Sequence, residues 1–217
     1  MALRSNKVPA VALALGLVAT GTPAAAHPHV TVLAKAAIQI GEGGKITGVR
    51  HVWTFDEAYS AYATTGMKKG ADGAIARQEL DDLAKVNVES LADFKYFTQF
   101  KQGRSELAFD APKEGYFLTH DGKALTLHFV LPLKSPVAPT NGQTLRIDDE
   151  TIFVAFSLAE TEPVVFEGKP SACKADVKRP AAALVGAGAP KLSEDFFNNL
   201  KAGFADQYAT TIRIVCP

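Results

Sequence analysis

The chain has 217 residues, of which 47% are hydrophobic and 21% charged, and no formal net charge with its histidines neutral. That balance belongs to an ordinary globular protein and excludes a chain disordered throughout. The even charge gives no basic surplus, and a nucleic-acid partner is not expected.

At the start of the chain, Arg4 and Lys7 precede the apolar run Val11 to Val18, and the small residues Ala24 and Ala26 suit a signal-peptidase site. Residues 1–26 are therefore expected to be a secretory signal, leaving a periplasmic domain over 27–217 that begins at His27. The apolar run is too short to span a bilayer, and no later stretch reaches the roughly 18 apolar residues required, so the mature protein is not expected to be membrane-inserted. Two segments rich in β-branched residues, Val30–Ile40 and Lys45–Phe55, flank Gly41-Glu-Gly-Gly44 and predict a hairpin. The period then changes. Ala58, Tyr59, Ala61 and Tyr62 predict a helix capped by Asp56 or Thr54 and ending near Gly66. Leu80, Leu83, Asn87, Leu91 and Phe94 predict one longer amphipathic helix or two short ones.

Strands are expected again over Tyr116–His120, Ala124–Leu131, Leu145–Ile147, Thr151–Phe156 and Pro163–Phe166, with Asp121-Gly122 as a turn. A Pro/Ala/Gly-rich connection over 179–190 leads to a possible helix from Ser193 and a final strand over Thr210–Val215. This order predicts an α+β fold: a mainly antiparallel β-sandwich with a helical insert over about 57–100 and a C-terminal helix and strand. A two-lobed solute receptor is excluded because alternating βαβ units are missing. In an exported chain, Cys173 and Cys216 are expected to form a disulfide that ties the last strand to the body.

His27 and His29 point to one face of an extended chain because side chains alternate. Cleavage after Ala26 would add a free α-amino group to the two imidazoles, a donor set suited to zinc, copper or nickel. Pro28 has no N–H to ionise, which rules out the terminal chelate that uses the second and third amides. What remains is a brace of amine and His27 ring completed by another histidine, or a site of His29 with histidines of neighbouring strands. His128, opposite the apolar face of Leu125, Leu127, Phe129 and Leu131, is one additional candidate ligand. His51 is another, although it shares its face with Trp53 and Phe55 and reads better as a buried structural histidine. His120, beside a turn, reads as exposed.

Between the helical segments, Asp72, Gly73, Ile75 and Glu79 fit the fifth, sixth, eighth and twelfth places of an EF-hand loop. Lys68 and Gly70 stand where the first and third oxygen ligands belong, so the loop is expected to keep its turn without binding calcium. Asp148, Asp149 and Glu150 read as a solvated turn. No nucleophile elbow, zinc-protease motif or glycine-rich phosphate loop occurs, and an enzyme is not expected.

The His27-Pro-His-Val30 start, the block Arg50-His-Val-Trp-Thr-Phe-Asp-Glu-Ala-Tyr-Ser-Ala-Tyr62, the Asp72-Gly73 loop, Leu83–Ala92 with Tyr96-Phe-Thr98, and Leu125–Leu133 resemble a bacterial family of exported proteins. It is the family numbered 1007 among domains of unknown function, often described as a periplasmic component of an ABC-type transport system. The resemblance implies an association with nickel or cobalt transport and a membrane metal transporter as partner. This sequence departs from many members at Lys68 and Gly70, and again at Asp149-Glu-Thr-Ile152, where an Asp-Pro-Thr-Tyr stretch is usual. The resulting expectation is a periplasmic metal-binding accessory protein handling nickel, cobalt or zinc. The rivals are a copper oxidase built on a histidine brace and an interaction module that binds no metal.

Overall fold

The computed structural model describes residues 30–169, 172–181, 196, 199, 201 and 203–217. The predicted signal segment, His27 and His29 lie outside the described residues, as does most of the connection and expected helix before the last strand.

The first hairpin forms where expected, as β1 (Val30–Ile40) and β2 (Ile46–Phe55), because both strands offer an inward row of Val, Ile, Ala and Trp. β2 pairs in turn with β6 (Leu125–Val137), the longest strand, and β6 with β5 (Phe117–His120). Gly48 permits the close approach of β2 to β6: a Cβ there would lie 2.7 Å from the carbonyl oxygen of Leu131. On its other side β1 pairs in parallel with β8 (Val154–Leu158) and then, further along, with β9 (Val164–Gly168). The second sheet has the order β10-β11-β7-β3-β4, formed by Lys174–Lys178, Thr211–Val215, Gln143–Ile147, Thr98–Gln102 and Ser105–Glu106. Trp53, Leu127 and Phe129 of the first sheet share one core with Phe100, Leu145, Ile212 and Ile214 of the second. The fold is thus the expected α+β sandwich, with antiparallel pairing dominant and β1 as the parallel exception.

Two helices interrupt the strands between β2 and β3: α1 (Glu57–Ala63) and α2 (Asp81–Leu91), the second running into a 3-10 turn over Ala92–Phe97. Leu80, which caps α2, enters the core with Ala84 and Val88 of the helix at i,i+4 spacing, while Leu83, Asn87 and Leu91 form a neighbouring, half-buried stripe. Asp56 resolves the capping alternatives. One of its carboxylate oxygens accepts from the Tyr59 N–H (2.8 Å) and the other from the Thr31 N–H of β1 (2.7 Å). One side chain therefore starts the helix and ties it to the central strand. Asp56→Ala is expected to cost about 1–2 kcal/mol of stability in denaturant unfolding, and a loss below about 0.3 kcal/mol would contradict that role.

The structure departs from the sequence expectations at β8, which starts at Val154 and not at Thr151. The Asp149 carboxylate accepts from the Thr151 N–H and hydroxyl (2.8 and 2.7 Å) and from the Val154 N–H (3.0 Å), winding the chain into a turn. Asp149 is only 8% exposed, which corrects the reading of 148–150 as a solvated turn. Strands β3 and β10 were not foreseen, because Thr98-Gln-Phe-Lys-Gln102 and Lys174-Ala-Asp-Val-Lys178 carry too few apolar residues to announce themselves. The expected disulfide is present between Cys173 and Cys216. Among the described residues no helix is long and apolar enough to cross a membrane.

Candidate functional site

The described histidines do not converge. In the β2–β6 register His51 opposes Phe129 and Val52 opposes His128, so His51 and His128 lie on opposite faces of the sheet and cannot share an ion. His51 is completely buried, stacked on Phe129 with ring centroids 4.7 Å apart and set edgewise to Trp53 at 5.2 Å. Its Nε2 lies 3.4 Å from the Thr98 hydroxyl, and its Nδ1 has no partner among the described residues. Burial pushes its pKa down to about 3, so the ring is neutral at physiological pH and acts as a packing element.

His128, on the outer face, stacks on Phe117 at 4.4 Å. The Arg77 guanidinium stands 3.8 Å from the centroid of the same Phe117 ring. Burial, and then the positive charges of Arg50 and Arg77, hold the His128 pKa below its ordinary value. That field opposes a bound cation as it opposes a proton. His120 is 7% exposed, not the exposed side chain expected from its place beside a turn, because its Nδ1 accepts the Gly122 N–H (3.2 Å) and draws the ring inward. Among the described residues no three His, Cys, Asp or Glu side chains are grouped so as to hold a metal.

A cavity among the described residues lies elsewhere. It measures about 630 Å³ and opens between α1, α2 and the ends of β1, β2 and β8. Trp53, Phe55, Tyr59, Phe97 and Phe156 line it, and Val30, the residue bonded to His29, stands in its wall. The aromatic groups pack against one another: Trp53 meets Phe156 at 5.0 Å, Phe97 meets Phe156 at 5.4 Å, and Phe94 stacks on Phe97 at 5.2 Å. Few polar groups reach the wall. Asn87 is positioned by its Nδ2 bond to the Leu83 carbonyl (2.8 Å), and Asp149 by the turn it organises. The Trp53 indole N–H is buried without a partner among the described residues.

Backbone strain collects around this cavity. Lys95, Tyr96 and Phe97 hold φ of 51°, 56° and 46°, and Ile152 holds 59°, all in the left-handed region. Each such non-glycine residue costs on the order of 1 kcal/mol or more and persists only when its surroundings enforce it. The first run delivers Phe97 into the cavity from the end of α2; the second belongs to the turn that brings Asp149 and Phe153 to its rim.

The family model described as protein of unknown function, DUF1007, matches residues 11–216. The chain belongs to this family. No curated protein matches it.

In this DUF1007 chain the EF-hand-like stretch folds back on itself: the Gly70 N–H donates to the Ala74 carbonyl (2.7 Å) and the Ala74 N–H to Asp72 Oδ1 (3.0 Å). The sequence placed His51 with the core and His128 on the opposite face, and the register agrees. It did not reveal the cavity, whose walls come from four separated segments, 30–32, 53–63, 83–97 and 149–156. A signal for it existed, because Leu83, Asn87 and Leu91 repeat at i,i+4 beside, and not within, the core stripe of α2.

Proposed function

We propose that this DUF1007 protein is an exported, non-enzymatic metal-binding accessory protein that captures a divalent transition metal at its mature N-terminus and passes it to a membrane transporter. The observation that carries the reading is the junction of His27-Pro28-His29 with β1. Val30 begins the central strand of the larger sheet, its N–H donates to the Phe153 carbonyl (3.4 Å), and its pairing continues with Val154. A donor-rich chain start is therefore joined to a fixed point of the fold. His51, sealed in the core, and His128, half-buried in the positive field of Arg50 and Arg77, are poor ligands, so the load falls on His27 and His29.

The α-amino group and two neutral imidazoles supply nitrogen donors of the kind nickel, cobalt, zinc and copper accept. The self-bonded loop at Gly70–Ala74, with Lys68 at its start, offers no comparable oxygen set for calcium. Because the amine and the imidazoles must be unprotonated to bind, affinity should fall as pH is lowered.

Titration of protein beginning at His27 with nickel, cobalt, zinc and copper is the direct test. One equivalent is expected to bind, His29→Ala should weaken it at least about tenfold, and His51→Phe and His128→Ala should leave it within about twofold. Binding that survives His29→Ala but is lost with His128→Ala would refute the terminal site. Failure of every metal to bind would favour an interaction module, and turnover of peroxide by the copper form would favour the oxidase.

A further inference from the structure

We propose that the aromatic cavity is a binding site for an amphipathic organic cation, a molecule with an apolar body and one positively charged amine or quaternary ammonium head. The inference stands apart from the metal reading and uses none of the histidines. The cavity's volume, about 630 Å³, is that of a site for a small organic ligand. Of the six large hydrophobic side chains exposed among the described residues, four (Tyr62, Val86, Phe94 and Phe153) stand around this one opening. Apolar groups concentrated in that way mark an interaction site, whereas scattered ones would not.

Charge selects the ligand class. A second concavity of about 330 Å³ adjoins the first, sharing Phe94, Phe97 and Asp149 with it. Its lining adds Asp93, Glu106, Asp148 and Glu150, against the ammonium groups of Lys95 and Lys101. Asp148 is neutralised by Arg146 at 2.7 Å, but Glu150 is exposed and bonded only to the uncharged Gln99 amide (2.9 Å) among the described residues. An anionic head would meet this surplus of carboxylates at the mouth. A cationic head gains from them and from the aromatic faces of Phe94 and Phe97. The body would lie among Trp53, Phe97 and Phe156, with the head toward Glu150.

Trp53 is the sole tryptophan of the chain, so its fluorescence reports occupancy without a label. The test titrates the mature chain, with no metal added, with decyltrimethylammonium and with decyl sulfate, both below their micelle-forming concentrations. The expected result is a saturable change in Trp53 emission, with the cation binding at least about tenfold more tightly than the anion of equal tail length. Glu150→Lys, an exposed change that spares the core, should reduce that preference at least about threefold. Ser90→Phe, crowding the mouth from the exposed side of α2, should weaken both probes. No saturable change with either probe would overturn the proposal. So would equal affinity for the two heads, or a preference untouched by Glu150→Lys.

Discussion

Loss of the Cys173–Cys216 bond is expected to lower the unfolding free energy by about 4 kcal/mol, the chain-entropy value for a loop of this length. The two cysteines are 43 residues apart in sequence. The bond joins the start of β10 to the end of β11, beside the Lys174–Val215 pair. β11 lies between β10 and β7 and sends Ile212 and Ile214 into the core at 0% and 1% exposure. Asn141 already holds the Cys216 backbone through two bonds, its amide donating to the Cys216 carbonyl (3.1 Å) and its side-chain oxygen accepting the Cys216 N–H (2.8 Å). The folded strand should therefore stay in place without the bond, and the cost should fall on the unfolded chain, which becomes freer. A Cys173→Ala/Cys216→Ala double variant should keep the circular dichroism of the parent, with an earlier denaturant midpoint and a steeper dependence on denaturant. For a domain whose whole stability is about 5–15 kcal/mol, that is a large fraction. A loss below about 1 kcal/mol would show that the cross-link restricts the unfolded chain far less than its loop length implies.

The second large effect belongs to His51. Its pKa is about 3 in the folded protein against 6.5 for a free ring, because the proton would have to enter a fully buried site between Phe129 and Trp53. Between these two values the unfolded chain binds a proton that the folded chain refuses. Stability from this group is therefore constant above about pH 6.5 and falls as pH drops toward 3, by up to about 1.4 kcal/mol per pH unit. At pH 4 the loss should reach roughly 3 kcal/mol relative to pH 7. His51→Phe keeps an aromatic ring against Phe129 and removes the titration. Denaturant unfolding of parent and variant at pH 7 and pH 4 separates this contribution from that of the carboxylates, which both proteins share. Equal pH dependence in the two would mean that His51 protonates without unfolding the core.

The second effect concerns the frame that positions the cavity. Trp53, in contact with His51, forms part of the cavity wall, and the turn organised by Asp149 sets both the start of β8 and the rim. The same turn receives the N–H of Val30, so the chain start and the cavity mouth share one anchor.

The strands of the first hairpin, the helix that follows Asp56 and the pairing of the two cysteines were all legible in the sequence. Each is announced by local chemistry: alternation of β-branched residues, a capping carboxylate, and two thiols in a chain with a signal-like start. Alternation alone also separated His51 from His128, since one residue of offset decides which face of a strand a side chain occupies. What local pattern could not supply was the environment of a charged or polar group. His120 and Asp149 looked solvated until the fold placed a backbone N–H against each. The arginines whose charge acts on His128 are distant from it in sequence: Arg50 is brought near by the pairing of β2 with β6, and Arg77, from the turn before α2, by its place over the Phe117 ring on which His128 stacks. The cavity is the clearest case. Its wall draws on β1, β2, both helices and the Asp149–Phe156 stretch, and a concave surface built from segments so far apart exists only once long-range packing has set them in register.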